Sequence, residues 1–138
     1  MAIGLVDACR NDMLNILRDR IDAGAAPGGG AILLYSGVRP AKGAAPAGTK
    51  LAECALSSPC AGNASAGVLT LDAVANGVGL ADEFATFARV VDSDGAFVMD
   101  LSVGITGSGA EVEIGSVEIV VDGVVKCNSA TFTAPGGA

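Results

Sequence analysis

The sequence predicts a mainly β fold, an antiparallel β-sandwich or jelly-roll-like domain with an N-terminal amphipathic helix. Short runs of alternating apolar and polar residues recur between turn-forming residues after position 30, as is typical of such folds. Helical periodicity, in contrast, is confined to residues 3–23. We therefore expect two units in the 138 residues, a helical arm at 1–26 and a β-domain at 27–138.

The predicted helix has one apolar stripe, with charged residues mostly on its other side. Gly24 and Pro27 end the pattern, and Asp7 is placed to cap a helix that begins one residue later. The glycines at 28–30 predict a flexible joint to the first strand. Since such a helix is unstable alone, its stripe must contact either the domain or a partner. The stripe comprises Leu5, Cys9, Met13, Leu14, Leu17 and Ile21.

Seven strands are predicted from the alternating runs and the turn clusters between them. Residues 92–95, Asp-Ser-Asp-Gly, predict a hairpin turn, and Asp122-Gly123 predicts a two-residue turn with positive φ at both positions. Residues 36–66 are rich in Gly, Ala, Pro and Ser and predict a long contact loop. Residues 73–87 are ambiguous, and within them 78–84 are compatible with one helical turn that leads into the strand at 86–91. The strands are expected at 31–35, 68–71, 86–91, 97–103, 111–114, 117–121 and 124–133.

Three strings of residues occur in a distinctive order along the chain. They are Tyr-Ser-Gly-Val-Arg-Pro-Ala at 35–41, Gly-Thr-Lys-Leu-Ala-Glu at 48–53 and Arg-Val-Val-Asp-Ser-Asp-Gly at 89–95. Together they resemble small virion proteins of tailed bacteriophages, and within that group the cement or decoration proteins that coat the capsid. The resemblance spans about residues 31–135. It implies a structural protein of the virion that binds the outer surface of the major capsid lattice, stabilises it, and is assembled in the bacterial host cytoplasm.

Charge is distributed unevenly over the chain, whose net charge is −7. Residues 1–50 carry six basic and four acidic side chains, whereas residues 51–138 carry two basic and eleven acidic side chains. The acidic body argues against nucleic acid as a partner, because Lys and Arg contacts to phosphates supply most of that affinity. The basic N-terminal third is suited to an acidic neighbour, and a merely solvated surface is an equal alternative.

The expected partners are the major capsid protein and further copies of the chain, in a homodimer or trimer. A membrane is not expected, since no apolar run reaches the ~18 residues of a spanning helix and the start lacks a basic leader. Arg39 and Arg89 lie within the resembling strings, and each is expected either to pair with a carboxylate of its own domain or to reach across an interface. The candidate contact residues are Leu5, Met13, Leu17, Ile21, Arg18, Arg20, Arg39, Lys42 and Lys50.

Catalytic, metal and cofactor sites are not expected, and an enzyme is the least favoured class. The chain has no histidine, which excludes Ser-His-Asp and Cys-His catalytic arrangements and histidine-containing metal sites. Glu111 and Glu113 alternate with apolar residues, as on the exposed side of a strand, and residues 92–95 lack the further ligands of an EF-hand loop. The four cysteines are expected to be buried free thiols, with a Cys54–Cys60 bridge as the alternative.

Two other functions stay open from the sequence. One is a neck, tail or baseplate component of the same virion, which the copy number per particle would distinguish from a cement protein. The other is an extracellular β-module that binds carbohydrate or calcium. Only five aromatic residues are available to line a sugar site, and the N-terminal residues do not have the pattern of a signal peptide, so this module is the weaker alternative.

Overall fold

The computed structural model describes residues 4–25, 28–72 and 74–134. Within these residues the chain forms one helix and eleven short strands. The helix, α1, spans Asp7–Ile21 and begins after the extended residue Val6. In the described parts of the chain, α1 falls short of the length and apolar character that a membrane crossing requires. The strands are β1 Ala31–Tyr35, β2 Lys50–Ala55, β3 Val68–Thr70, β4 Gly77–Val78, β5 Glu83–Phe84, β6 Phe87–Val91, β7 Phe97–Ile105, β8 Val112–Ile114, β9 Glu118–Ile119, β10 Val124–Val125 and β11 Cys127–Thr133.

Seven of these strands form one curled, mixed sheet in the order β2-β1-β6-β7-β8-β11-β3. Neighbouring strands are antiparallel, except that β7 and β8 are parallel. The interior strand β6 is buried at all five positions, so both of its faces are covered. On one face Val90 lies opposite Ile32 in the core. On the other face Phe87 lies opposite Tyr35, and the two rings stack with their centroids 5.4 Å apart.

Helix α1 packs against the sheet and shares its core. Leu14 and Ile21 belong to the same cluster of buried apolar side chains as the sheet residues. Arg10 is also buried, and its guanidinium donates to the carbonyl of Ala134 through Nε at 3.3 Å and through Nη2 at 3.0 Å. The same guanidinium pairs with Asp7 at 2.9 Å. These contacts join helix and sheet in one core, whereas the sequence predicts a separate arm at 1–26.

The polar side of α1 is bound to the backbone of residues 60–67. Asn11, Asn15 and Asp22 each accept a backbone N–H through a side-chain oxygen, at 2.8 to 2.9 Å. Arg18 donates to a carbonyl of the same segment at 3.1 Å. Because the four side chains recur at helical spacing, they run as a row along one side of α1. The bonded pairs are Asn11 with Gly67, Asn15 with Ala64, Arg18 with Gly62 and Asp22 with Cys60.

The predicted Asp-Ser-Asp-Gly hairpin turn is confirmed between β6 and β7, and it also holds the segment that follows α1. Asp92 Oδ1 accepts two backbone N–H groups of the turn, those of residues 94 and 96, both at 2.9 Å. Ser93 Oγ donates to the carbonyl of Ala23 at 3.1 Å, and the N–H of Ala25 donates to Asp94 Oδ2 at 2.9 Å. This four-residue turn therefore stabilises both the hairpin and the exit of the helix.

The glycines before β1 are required for close approach between segments. A Cβ at Gly29 would lie 2.5 Å from the carbonyl oxygens of Leu56 and Ser57, and one at Gly30 would overlap the carbonyl of Val91. Gly30 also accepts the N–H of Leu56 through its carbonyl at 2.9 Å. The sequence predicts a flexible joint here, but Gly29 and Gly30 instead pack against the sheet.

Two further strand pairs, β4 with β10 and β5 with β9, form one irregular ribbon. The two pairs share one antiparallel register, so residues 77–84 run beside residues 118–125 from the first pair to the second. Between the pairs, Gly79 donates to the carbonyl of Gly123 at 2.8 Å and accepts the N–H of Asp122 at 2.9 Å. We call residues 77–84 and 118–125 the ribbon. Its opposite residues are Gly77 with Val125, Val78 with Val124, Glu83 with Ile119 and Phe84 with Glu118.

The remaining predictions have mixed outcomes. Strand β1 has the predicted bounds, and each of the other predicted segments overlaps a strand, although β7 continues two residues beyond 97–103 and 124–133 contains both β10 and β11. The predicted loop at 36–66 contains β2, and residues 78–84 form the end of β4, a bend and β5 rather than a helical turn. The predicted Asp122-Gly123 hairpin is wrong, because only Asp122 has positive φ and the flanking strands β9 and β10 pair with β5 and β4 instead of each other.

Candidate interaction surfaces

Arg89 forms a buried clamp between strands β6 and β7. Its Nε and Nη2 donate to the two carboxylate oxygens of Asp100, at 2.8 and 3.1 Å, and the side chains are only 9% and 7% exposed. Nη2 also donates to the carbonyl of Ala44 at 2.8 Å, and the guanidinium lies 4.7 Å from the ring centroid of Phe97. Hydrogen bonding to Asp100 raises the pKa of Arg89. The intramolecular alternative is therefore confirmed for Arg89, which fastens the loop after β1 onto the sheet.

A row of exposed apolar side chains follows α1 on the side opposite Asn11 and Asn15, and Met13 of this row borders a groove with Met99 and Leu101 of the sheet. Val6 is 71% exposed, Ile16 is 63% exposed, and Cys9 and Met13 are also exposed. Cys9, Met13 and Ile16 follow one another at steps of four and three, which places them on one face of the helix, and Val6 lies at the N-terminal end of that row, just before the helix begins. We call Val6, Cys9, Met13 and Ile16 the helix stripe. Because Arg10 and the polar row hold the opposite side of α1 to the domain, the helix stripe is presented on a fixed support.

The ribbon presents a second exposed apolar surface. Val78 and Val124 lie opposite each other and are both exposed, whereas their neighbours Gly77 and Val125 are both buried. Cross-strand neighbours share a face of a strand pair, so Val78 and Val124 mark its outer face. The exposed large apolar residues of the ribbon are Val78, Leu80, Phe84, Val120, Val121 and Val124.

The acidic residues of the ribbon are exposed beside these apolar side chains. They are Asp82, Glu83, Glu118 and Asp122, and the two ribbon segments contain no Lys or Arg. Asp82 Oδ1 accepts the N–H of Val121 at 2.9 Å, which ties the two segments together at mid-length. Glu83 pairs with the buried Ile119, so it lies on the other face from Phe84 and Glu118, and Lys126 lies next to Val124 at the end of the ribbon. The outer face of the ribbon is thus apolar with mainly acidic side chains around it, as is typical of a surface that binds another protein.

The loop after β1 presents basic and apolar side chains together. Val38 is 85% exposed, and Arg39 and Lys42 are exposed on the same loop. Arg39 and Lys42 line a shallow groove of about 330 Å³, whose floor includes Phe97 and Met99. Asp100 also borders the groove, but its carboxylate is bonded in bidentate fashion to Arg89. We call residues 38–42 and this groove the basic loop.

The predicted contact residues do not form one surface. Leu5 precedes α1 and is half-buried. On α1, Met13 is exposed, Leu17 is half-buried and Ile21 is completely buried, so Ile21 is accessible to a partner only if the helix leaves the domain. Arg18 binds Gly62 and the side chain of Asn63, whereas Arg20 is exposed. Arg39 and Lys42 lie together at the basic loop, and Lys50 pairs with Glu53 at 3.3 Å.

Sequence reasoning missed Val6, Ile16 and the whole outer face of the ribbon. The predicted stripe combined Met13 with Leu14 and Ile21, although in the structure Leu14 and Ile21 face the core and Met13 faces solvent. Because the stripe was centred between these two sides, it did not include the exposed Val6 and Ile16. The ribbon did leave a signal, since apolar residues occupy alternate positions at 78 and 80 and again at 84.

The cysteines are free thiols in this structure, and three of them are buried. Burial raises the pKa of Cys60 to about 12 and that of Cys127 to about 11, and it also raises the pKa of Cys54. A thiol with a raised pKa remains protonated and is a poor nucleophile or metal ligand. Cys9, in contrast, is exposed in the helix stripe, where the sequence predicts a buried side chain.

The carboxylates of Glu111 and Glu113 each accept hydrogen bonds from nearby residues. Glu111 accepts a hydrogen bond from Ser102 Oγ, and Glu113 accepts the N–H of Gly109 at 2.9 Å, a bond that lowers the pKa of the Glu113 carboxyl. Within the described ranges, no cluster of three or more Cys, Asp or Glu side chains is arranged to hold a metal ion. Comparisons of the chain with protein-family models, with curated proteins and with solved structures each found no match. Function is therefore inferred from the surfaces above.

Proposed function

We propose that this chain is a structural virion protein, a cement or decoration protein that binds the outer surface of a major capsid lattice and stabilises it. The observation that carries the proposal is the helix stripe, an exposed apolar row on a helix that is firmly bound to its domain. Exposing apolar surface to water is unfavourable in free energy, and burying it against a neighbouring protein removes that cost. A protein that joins capsid subunits requires an apolar binding surface whose position on its domain is fixed, and the helix stripe is such a surface.

The three strings that resemble phage virion proteins support the same proposal through their structural roles. Arg89 fastens the loop after β1, Asp92 closes the hairpin turn, and Ser36 Oγ accepts the N–H of Thr49 at 3.1 Å at the other end of that loop. Residues engaged in this way determine the shape and rigidity of the domain. We accordingly propose a non-enzymatic role, and we propose that the curled sheet, helix and ribbon form a sandwich- or jelly-roll-like body.

The proposed capsid contact combines the helix stripe with the basic charge beside it. Arg20 continues the spacing of the stripe, four residues after Ile16, and it is exposed. An apolar row with a basic end is complementary to an apolar capsid surface that carries carboxylates. The partner is then the major capsid protein, the location is the outside of the capsid, and neither nucleic acid nor a membrane is involved.

Binding to capsids stripped of this protein tests the proposal. The Ile16→Glu variant should bind at least about tenfold more weakly than the wild type, because a charge would be buried in an apolar contact. Ala8→Glu is the matched control, since Ala8 is exposed on the same helix but lies outside the helix stripe. Wild-type protein should also raise the temperature at which the capsids release DNA. Failure of the wild type to bind capsids at any ionic strength would refute the cement function.

A further inference from the structure

We propose that copies of this chain associate head to tail, with the ribbon of one copy docked on the basic loop of the next. The inference concerns a surface that the capsid contact of α1 does not use, and it is independent of the cement function. It starts from two exposed surfaces of one chain that have opposite charge and similar apolar content.

The ribbon supplies the acidic half of this interface. Its outer face combines exposed apolar residues, among them Phe84 at 59% and Val124 at 74% exposure, with three acidic side chains, those of Asp82, Glu118 and Asp122. One cation, Lys126, lies at the end of this face, so the face as a whole remains acidic. A partner surface that neutralises this face must offer apolar contact area together with Lys or Arg. A surface that lacks those cations would leave the carboxylates desolvated without compensation.

The basic loop supplies such a surface. Val38 and Pro40 provide apolar contact area, Arg39 and Lys42 provide the cations, and Phe97 lies in the floor of the groove. The one carboxylate in the groove wall, that of Asp100, is already bonded to Arg89, so the groove is basic toward a partner. The ribbon and the basic loop have no residue in common, although Ser36, which precedes the loop, lies beside Phe84 of the ribbon.

The charges also determine the symmetry of the association. If the ribbon paired with the ribbon of a second copy around a two-fold axis, the three acidic side chains on the outer face of each copy would be brought together. Like charges opposite each other oppose such a pairing. A contact between two different surfaces avoids this repulsion, and contacts of that kind close into rings or continue as arrays.

Charge reversal tests both halves of the interface. The ribbon variant is Glu118→Lys with Asp122→Lys, and the loop variant is Arg39→Glu with Lys42→Glu. All four side chains are exposed, so we expect each variant to fold like the wild type, and circular dichroism verifies this. In sedimentation velocity at about 20 mM salt, each variant should associate at least about tenfold more weakly than the wild type.

The combined variant, with all four changes in one chain, is the decisive measurement. It exchanges the charges of the two surfaces, so head-to-tail association should return to within about threefold of the wild type. Association through the ribbon alone predicts that the loop variant behaves like the wild type and that the combined variant stays weak. Either of those results would overturn the proposal, and so would a wild-type chain that stays monomeric at millimolar concentration in low salt.

The apolar part of the interface has its own matched pair of variants. Val124→Ser removes an exposed apolar side chain from the ribbon, and it should weaken association. Ile105→Ser removes an apolar side chain that is 53% exposed and lies outside both surfaces, and it should have no effect. The Ile16→Glu variant of the helix stripe should also associate normally. If Ile16→Glu abolished association, the contact would run through α1 and the ribbon assignment would be wrong.

Discussion

The strongest test of the fold concerns the clamp of Arg89. Replacing Arg89 with Met would leave the carboxylate of Asp100, whose side chain is 7% exposed, without its bidentate partner. Removing one member of a buried ion pair typically costs about 3–5 kcal/mol, because the remaining charge stays desolvated. The loss of the donor to the Ala44 carbonyl and of the contact with Phe97 acts in the same direction. We therefore expect the free energy of unfolding to fall by about 4 kcal/mol.

Urea unfolding followed by circular dichroism measures this loss, and a melting temperature about 10–15 °C lower should accompany it for a chain of this size. The double variant Arg89→Met with Asp100→Leu should recover most of the stability, since no charge is then buried unpaired. Arg39→Met serves as the control for an exposed arginine in a resembling string, and it should change the stability by less than about 0.5 kcal/mol. A loss below about 1 kcal/mol for Arg89→Met would show that the pair behaves as a solvated surface pair, and the clamp would be refuted.

Three further predictions follow from the buried contacts. Deleting residues 1–25 should unfold the domain, because Ile21 and Arg10 would be lost from the core; a truncated chain with native circular dichroism would contradict the shared core. Gly67→Ala should lower the melting temperature, since Gly67 has φ of +74° and the Arg10 guanidinium occupies the place of a Cβ; an unchanged melting temperature would refute that packing. An ordinary thiol has a pKa of 9.0, and burial raises the pKa to about 11 for Cys127 and about 12 for Cys60. Between pH 9 and these raised values, the thiols stay protonated in the folded state but lose their protons in the unfolded state, so the folded state binds more protons. The free energy of unfolding should thus fall as pH rises above 9, by up to about 1.4 kcal/mol per unit for each thiol, and at pH 8 a thiol reagent should label only Cys9 of the folded chain.

The regular part of the sheet was predictable because its strands show their burial in the sequence. In β8, Val112 and Ile114 alternate with Glu113, and in β1 a continuous apolar run marks an interior strand. The Asp92 turn was predictable for a different reason, since an Asp side chain closes such a turn by accepting the N–H groups that follow it. In both cases the signal is local in the chain.

The parts that were missed depend on contacts between distant segments. Strand β2 begins with Lys50 and lies among Ala, Gly and Pro residues, so its own composition resembles a loop, and its pairing with β1 decides its conformation. Asp122-Gly123 has the local pattern of a hairpin turn, but Gly79 intervenes and accepts the N–H of Asp122. The ribbon forms because 77–84 meets 118–125 across the fold, which a local pattern cannot reveal.

The orientation of α1 connects the fold to the proposed function. A helix with apolar residues on more than one side would ordinarily turn its most apolar face to the sheet. Here Leu14 and Ile21 face the core. Asn11, Asn15 and Asp22 occupy the neighbouring side, where they accept backbone N–H groups of residues 60–67, a segment that lies outside the strands. Leaving those N–H groups unsatisfied would cost more than leaving Ile16 in water, because a buried unpaired donor loses about 1–3 kcal/mol. The polar row thus determines which side of the helix is turned inward, and the helix stripe is left exposed on a support that cannot rotate. A neighbouring protein that covers the helix stripe then gains apolar burial without having to order the helix first.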